Sequence, residues 1–89
     1  MRFRLDRLPP GAVVDLEGDY YADPAGDHPT YPYELVPVEA IVRETEECWA
    51  LHTSDGVIGY PPDHRIKVRR IDREAREVAE RLPEGGWTF

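Results

Sequence analysis

Few residues in this 89-residue chain have side chains able to do chemistry. They are three histidines (His28, His52 and His64), a single cysteine (Cys48), and a run of acids comprising Asp15, Glu17, Asp19, Asp23 and Asp27. Cys48 and His52 could in principle make a thiolate nucleophile and its base, with a carboxylate as orienter. The histidines with Cys48 could converge on a transition metal, but they are far apart in sequence and lack the spacing of a zinc site. The acids could offer oxygens to calcium, yet none closes the run as the bidentate twelfth ligand of an EF-hand loop. The plainer reading is a solvated acidic loop and three surface histidines. No cofactor, metal or catalytic residue is therefore expected.

The tyrosines are more telling. Four of the five, Tyr20, Tyr21, Tyr31 and Tyr33, fall between Glu17 and Tyr33. That segment has no hydrophobic period and contains Gly18, Pro24, Gly26, Pro29 and Pro32, so it is expected to be one long loop. Loops of this length in a small domain are commonly functional. Tyrosine offers a rigid apolar face with a polar tip, which suits protein contact. The competing reading is that these rings fold over a small core and close it.

Composition bounds the setting. The length is that of one domain with a thin core. No apolar run approaches the ~20 residues that span a bilayer, and the basic start "MRFRLDRLPP" lacks the apolar stretch of a secretory signal. A lone cysteine cannot form an internal disulfide, and a soluble cytoplasmic protein of bacterial type is expected. The net charge of −7 is uneven. From Asp15 to Glu47 there are ten acids and one base, whereas from Arg65 to Arg76 there are six bases and two acids.

Alternation predicts strands at Phe3–Asp6, Ala12–Leu16, Leu35–Arg43, Trp49–Thr53, Val57–Tyr60 and a last one around Ile66 and Val68 with a basic face of Arg65, Lys67 and Arg69. In the 35–43 strand, Val36, Val38, Ala40 and Val42 share a face, and Pro37 places that end at a sheet edge. Ser54-Asp55-Gly56 signals a hairpin. The tail changes period: Ile71, Ala75, Val78, Ala79 and Leu82 form one helical stripe, with Asp72 as cap and Pro83 as stop. The expected organisation is a β domain over 1–70, an amphipathic helix over 71–82 and a tail over 83–89. Trp87, Thr88 and Phe89 either return to the core or hang free.

Three short pieces resemble SH3 domains. "AVVDLEG" (12–18) resembles their "ALYDYEA" opening, "CWALHT" (48–53) their "WWLAHS" strand, and "GYPPDHRI" (59–66) their "GYIPSNYV" segment. The order and separations match, and the long loop falls where that family has its RT loop. The resemblance covers residues 12–68. It implies a mainly β fold, a five-stranded SH3-like barrel with a long early loop and a short C-terminal helix, in which Pro61 and Pro62 form a corner between strands. It also argues against the family's usual PxxP binding. Val14 and Leu16 stand at two groove tyrosine positions, Cys48 at a tryptophan position and Arg65 at another tyrosine position. Only Pro62 keeps its identity.

The expected function is a non-enzymatic protein-binding or accessory module that contacts a basic protein surface. The expected contact residues are Tyr20, Tyr21, Tyr31, Tyr33, Tyr60 and Pro62, helped by the neighbouring acids. A nucleic-acid-associated domain using the basic strand 65–70 is the first rival, disfavoured because duplex binding needs many phosphates neutralised and the chain is acidic. A small enzyme or enzyme subunit using Cys48 and His52 is the second. The helical stripe also allows homodimerisation.

Overall fold

The structure is a computed structural model that describes residues 1–22, 34–72, 74, 80–81 and 85–88. Short β-rich segments separated by glycine and proline turns form two antiparallel sheets. The first contains β1 (Arg2–Arg4), β2 (Ala12–Asp15), β3 (Val36–Pro37) and β7 (Arg65–Ile71), in the order β1-β7-β2-β3. The second contains β4 (Ala40–Arg43), β5 (Trp49–Thr53), β6 (Gly56–Tyr60), β8 (Glu80–Arg81) and β9 (Gly86–Thr88), in the order β6-β5-β4-β9-β8. A 3-10 turn, Leu5–Arg7, follows β1 and buries Leu5.

The core lies between the sheets. Val14, Leu16, Ile66 and Val68 come from the first sheet and its turns, and Ile41, Leu51, Tyr60 and Trp87 from the second. Strand β7 follows the alternation rule: Ile66 and Val68 are buried while Arg65, Lys67 and Arg69 face out. Its register against β2 slips between Val13 and Val14, which pair with Arg70 and Val68 and leave Arg69 without an opposite residue. A bulge of this kind redirects a side chain, and here the Arg69 guanidinium comes 3.5 Å from the Asp15 carboxylate.

The single strand expected over 35–43 is two strands in different sheets. Val36–Pro37 pairs with β2, and Ala40–Arg43 pairs with β5. At the break, the Val38 amide donates to Ala12 in the first sheet (3.1 Å) and the next amide, Glu39, donates to His52 in the second (2.8 Å). The break also changes which side chains face the core. Val36 and Val38 are core residues as expected, but beyond it Ile41 takes the place expected for Val42. A one-residue change of phase exchanges the two faces of a strand. Pro37 does lie in an edge strand. Pro61 and Pro62 form the corner between β6 of one sheet and β7 of the other. The Pro61 carbonyl accepts the His64 amide (3.1 Å), and the Pro62 carbonyl accepts Asp6 (3.1 Å).

Two expectations are overturned. The strands do not close into a five-stranded barrel. Among the described residues no strand of one sheet pairs with a strand of the other, and extra strands occupy sites that the five-strand reading left open: β1 beside β7, and β9 beside β4. The C-terminal helix also does not run over 71–82: of the described residues in that span Glu74 alone is helical. Ile71 ends β7, and Glu80–Arg81 pairs with Thr88 and Trp87 of β9. Among the described residues no helix reaches seven residues; residues 73, 75–79 and 82–84 lie outside them, as does most of the proposed dimerisation stripe. Asp72 does accept the Glu74 amide (3.1 Å), as a capping residue would. Ladder pairing overrides helical periodicity at both ends of the stripe: Ile71 pairs with Ala12 of β2, and Glu80–Arg81 with β9 and its buried tryptophan.

Trp87 returns to the core and is almost fully buried, with its indole N–H donating to the Leu8 carbonyl at 2.9 Å. Gly86 sits at φ +92°, and a Cβ there would run into the Ile41 carbonyl of the paired strand. Trp87→Ala should cost about 3–5 kcal/mol in chemical denaturation, as for other buried large-to-small changes. Gly86→Ala should cost at least about 1–2 kcal/mol from its left-handed backbone alone. If both variants unfold with the wild-type midpoint, β9 is not docked as described.

Candidate functional site

The site begins at the turn after β2. Gly18, at φ +74°, turns the chain, and the Asp19 amide donates to Leu16 at 3.0 Å. One Asp19 carboxylate oxygen then accepts the amides of Tyr21 (3.0 Å) and Ala22 (3.2 Å). The other meets His64 Nε2 at 2.8 Å. Asp19 thus fixes the backbone that carries Tyr20 and Tyr21, and ties it to the proline corner 45 residues away.

Four rings are stepped from core to surface. Tyr60 points inward from β6 and is 1% exposed. The His64 imidazole stacks on it, with centroids 5.0 Å apart and planes 21° apart. Tyr21 meets both edge-on, at 5.4 Å from Tyr60 and 4.9 Å from His64. Tyr20 meets Tyr21 edge-on at 5.0 Å. Edge-to-face rings at these separations attract beyond their burial. Exposure rises to 41% at Tyr21 and 74% at Tyr20.

Beside Tyr20 lies an open cleft of about 490 Å³ across the outer face of the first sheet. Three cations, Arg2, Arg65 and Lys67, and three acids, Asp15, Glu17 and Asp19, line it. The register places Arg2 directly opposite Lys67 and Arg4 directly opposite Arg65. Some of these charges are answered locally. Arg4 makes two bonds of 3.1 Å to Asp6, and Lys67 and Arg69 both approach Asp15, at 3.9 and 3.5 Å. Among the described residues, no acid pairs with Arg2 or Arg65.

The structure therefore joins Tyr20, Tyr21 and Tyr60 of the expected contact set. Tyr60 serves as the buried base of the cluster rather than as surface, and Pro62 is half-buried in the corner. Tyr31 and Tyr33 lie outside the described residues, as do His28, Asp23 and Asp27. Cys48 and His52 are four residues apart along extended chain, roughly 13 Å, which is too far for a nucleophile and its base. Among the described residues no three histidines, cysteines or acids gather as a metal site. Val14 and Leu16, at the groove positions of the SH3 resemblance, are fully buried. Asp19, His64, Arg2 and Arg65 were not singled out together by the sequence, because nothing local links positions 2, 19 and 64–67.

No family model, curated protein or solved structure matches this chain. Nothing in those comparisons identifies a relationship to SH3 domains.

Asp19→Ala removes three acceptor bonds at once and should lower stability by about 1–3 kcal/mol. Asp19→Asn keeps the oxygen that serves the two amides and should lose less. The cationic strip should behave in the opposite way, since like charges directly opposite across a ladder destabilise it by ~0.2–1 kcal/mol. Arg2→Glu, placed against Lys67, should raise the unfolding midpoint slightly. A fall in midpoint would show that Arg2 supports the fold.

Proposed function

We propose that this chain is a non-enzymatic protein-binding or accessory module whose contact surface is the step formed by Tyr20 and Tyr21. The observation that supports this is the contrast between their exposure and their fixity. Tyr20 is the most exposed large apolar side chain among the described residues, yet its backbone is held by Asp19 and its ring rests on Tyr21, which rests on Tyr60 and His64. Ordering a free side chain on binding costs roughly 0.5–1.5 kcal/mol, and a ring already placed avoids part of that. Tyrosines held in this way are frequent anchors in protein interfaces.

A distant kinship with SH3 domains is part of the proposal and rests on the three motifs alone. It carries no expectation of PxxP binding, because the side chains at the family's groove positions, Val14 and Leu16, face the core. A cytoplasmic setting is likewise proposed; among the described residues no helix is long and apolar enough to cross a membrane.

The test is affinity capture from lysate of the native host, followed by direct titration of the recovered protein against purified variants. Tyr20→Ala should weaken binding about tenfold, roughly 1.4 kcal/mol, with an unchanged melting temperature because the ring is mostly in water. Equal affinity for wild type, Tyr20→Ala and Tyr21→Ala would remove the tyrosine step from the interface.

A further inference from the structure

We infer that the segment received beside Tyr20 is acidic: an extended peptide with carboxylates on alternate residues, lying across Arg2, Arg65 and Lys67. The inference rests on the protein-binding reading above and names the chemistry of the partner. The sequence pointed the other way, toward a basic partner met by the acids of the tyrosine loop. Glu17 also lines the cleft, but the structure shows the three nearby aspartates in use. Asp19 is held by His64 and two amides, Asp15 faces Lys67 and Arg69, and Asp6 holds Arg4. Among the described residues Arg2, Arg7, Arg65 and Arg70 have no acid beside them, and two of these, Arg2 and Arg65, line the cleft that Tyr20 borders.

The register sharpens the argument. Two like-charged pairs, Arg2 with Lys67 and Arg4 with Arg65, face each other across β1 and β7. Such pairs work against the ladder that carries them. A small domain that places them together on an exposed face keeps a cost that an anionic ligand would relieve. On one strand, Arg65 and Lys67 project from the same face two residues apart, roughly 6.6 Å. Carboxylates at alternate positions of an extended peptide have the same spacing. Tyr20 then offers an apolar face to a residue flanking the acids.

A single-stranded nucleic acid is the other polyanion with this combination of charge and ring stacking. Two features favour the peptide. The chain as a whole carries −7, which repels a long polyanion. The cleft also contains Asp15, Glu17 and Asp19 among its cations, and an alternating peptide can set its neutral residues against them whereas a strand with a phosphate on every nucleotide cannot.

The experiment is an NMR titration of the isotope-labelled full chain with three synthetic probes. They are a peptide alternating Glu and Leu, the same peptide with Lys in place of Glu, and oligo-dT. The Glu peptide should shift the amides of Arg2, Arg65, Lys67 and Tyr20, and its affinity should fall several-fold between low and physiological salt. Arg2→Glu and Arg65→Glu should each weaken it about tenfold while melting no lower than wild type, which separates binding from folding. Absence of shifts with the Glu peptide, tighter binding of the Lys peptide, or tighter binding of oligo-dT would each overturn the inference. The two readings separate on the captured partner. If Tyr20→Ala weakens its binding and Arg2→Glu does not, the protein-binding surface stands and the acidic partner falls. If Arg2→Glu weakens it and Tyr20→Ala does not, the tyrosine step falls.

Discussion

Two sheets that share no ladder among the described residues are held together by one thin apolar layer, and every other feature depends on it. The layer is small because the chain is small. Leu5, Val14, Leu16, Ile41 and Leu51 are sealed, and Trp87 supplies the largest ring. With no disulfide available, burial of these side chains must offset the entropy of ordering the chain. The indole N–H bonded to Leu8 lets the tryptophan be buried without an orphaned donor. The outer faces are thereby free to carry groups that add nothing to stability.

The tyrosine step uses this economy. Tyr60 belongs to the core by burial and to the site by contact, so the exposed rings stand on a base that the fold already holds. The Asp19–His64 bond joins the turn after β2 to the corner before β7, and so couples the position of the rings to the position of the cationic strand. The relative placement of an apolar step and a charged strip is thus a property of the fold.

The strands were largely legible in the sequence because alternation and turn residues are local signals. Trp49–Thr53 matches residue for residue, and the Pro61-Pro62 corner falls where the prolines put it. The break after Val38 was not legible, because Pro37 just before it also fits an edge strand and the alternation continues past it. The slip beside Arg69 depends on a partner strand more than fifty residues away. The helical stripe from Ile71 was a real period, but one end pairs with β2, far away in sequence, and the other with β9, which no local pattern announces. In the site, the tyrosines were visible as a composition cluster. Their neighbours were not: Asp19 with His64, and Tyr20 with Arg2 and Arg65, meet only through sheet order.

The adjacent amides of Val38 and Glu39 bond to opposite sheets. Consecutive Cα atoms are 3.8 Å apart whatever the chain does, so this pair acts as a rivet through both layers. Neither layer can slide past the other without pulling out one side of it. The edge of one layer is therefore pinned to the other at this point. The same two amides should be among the last in the chain to exchange with deuterated solvent, since releasing them requires the layers to part.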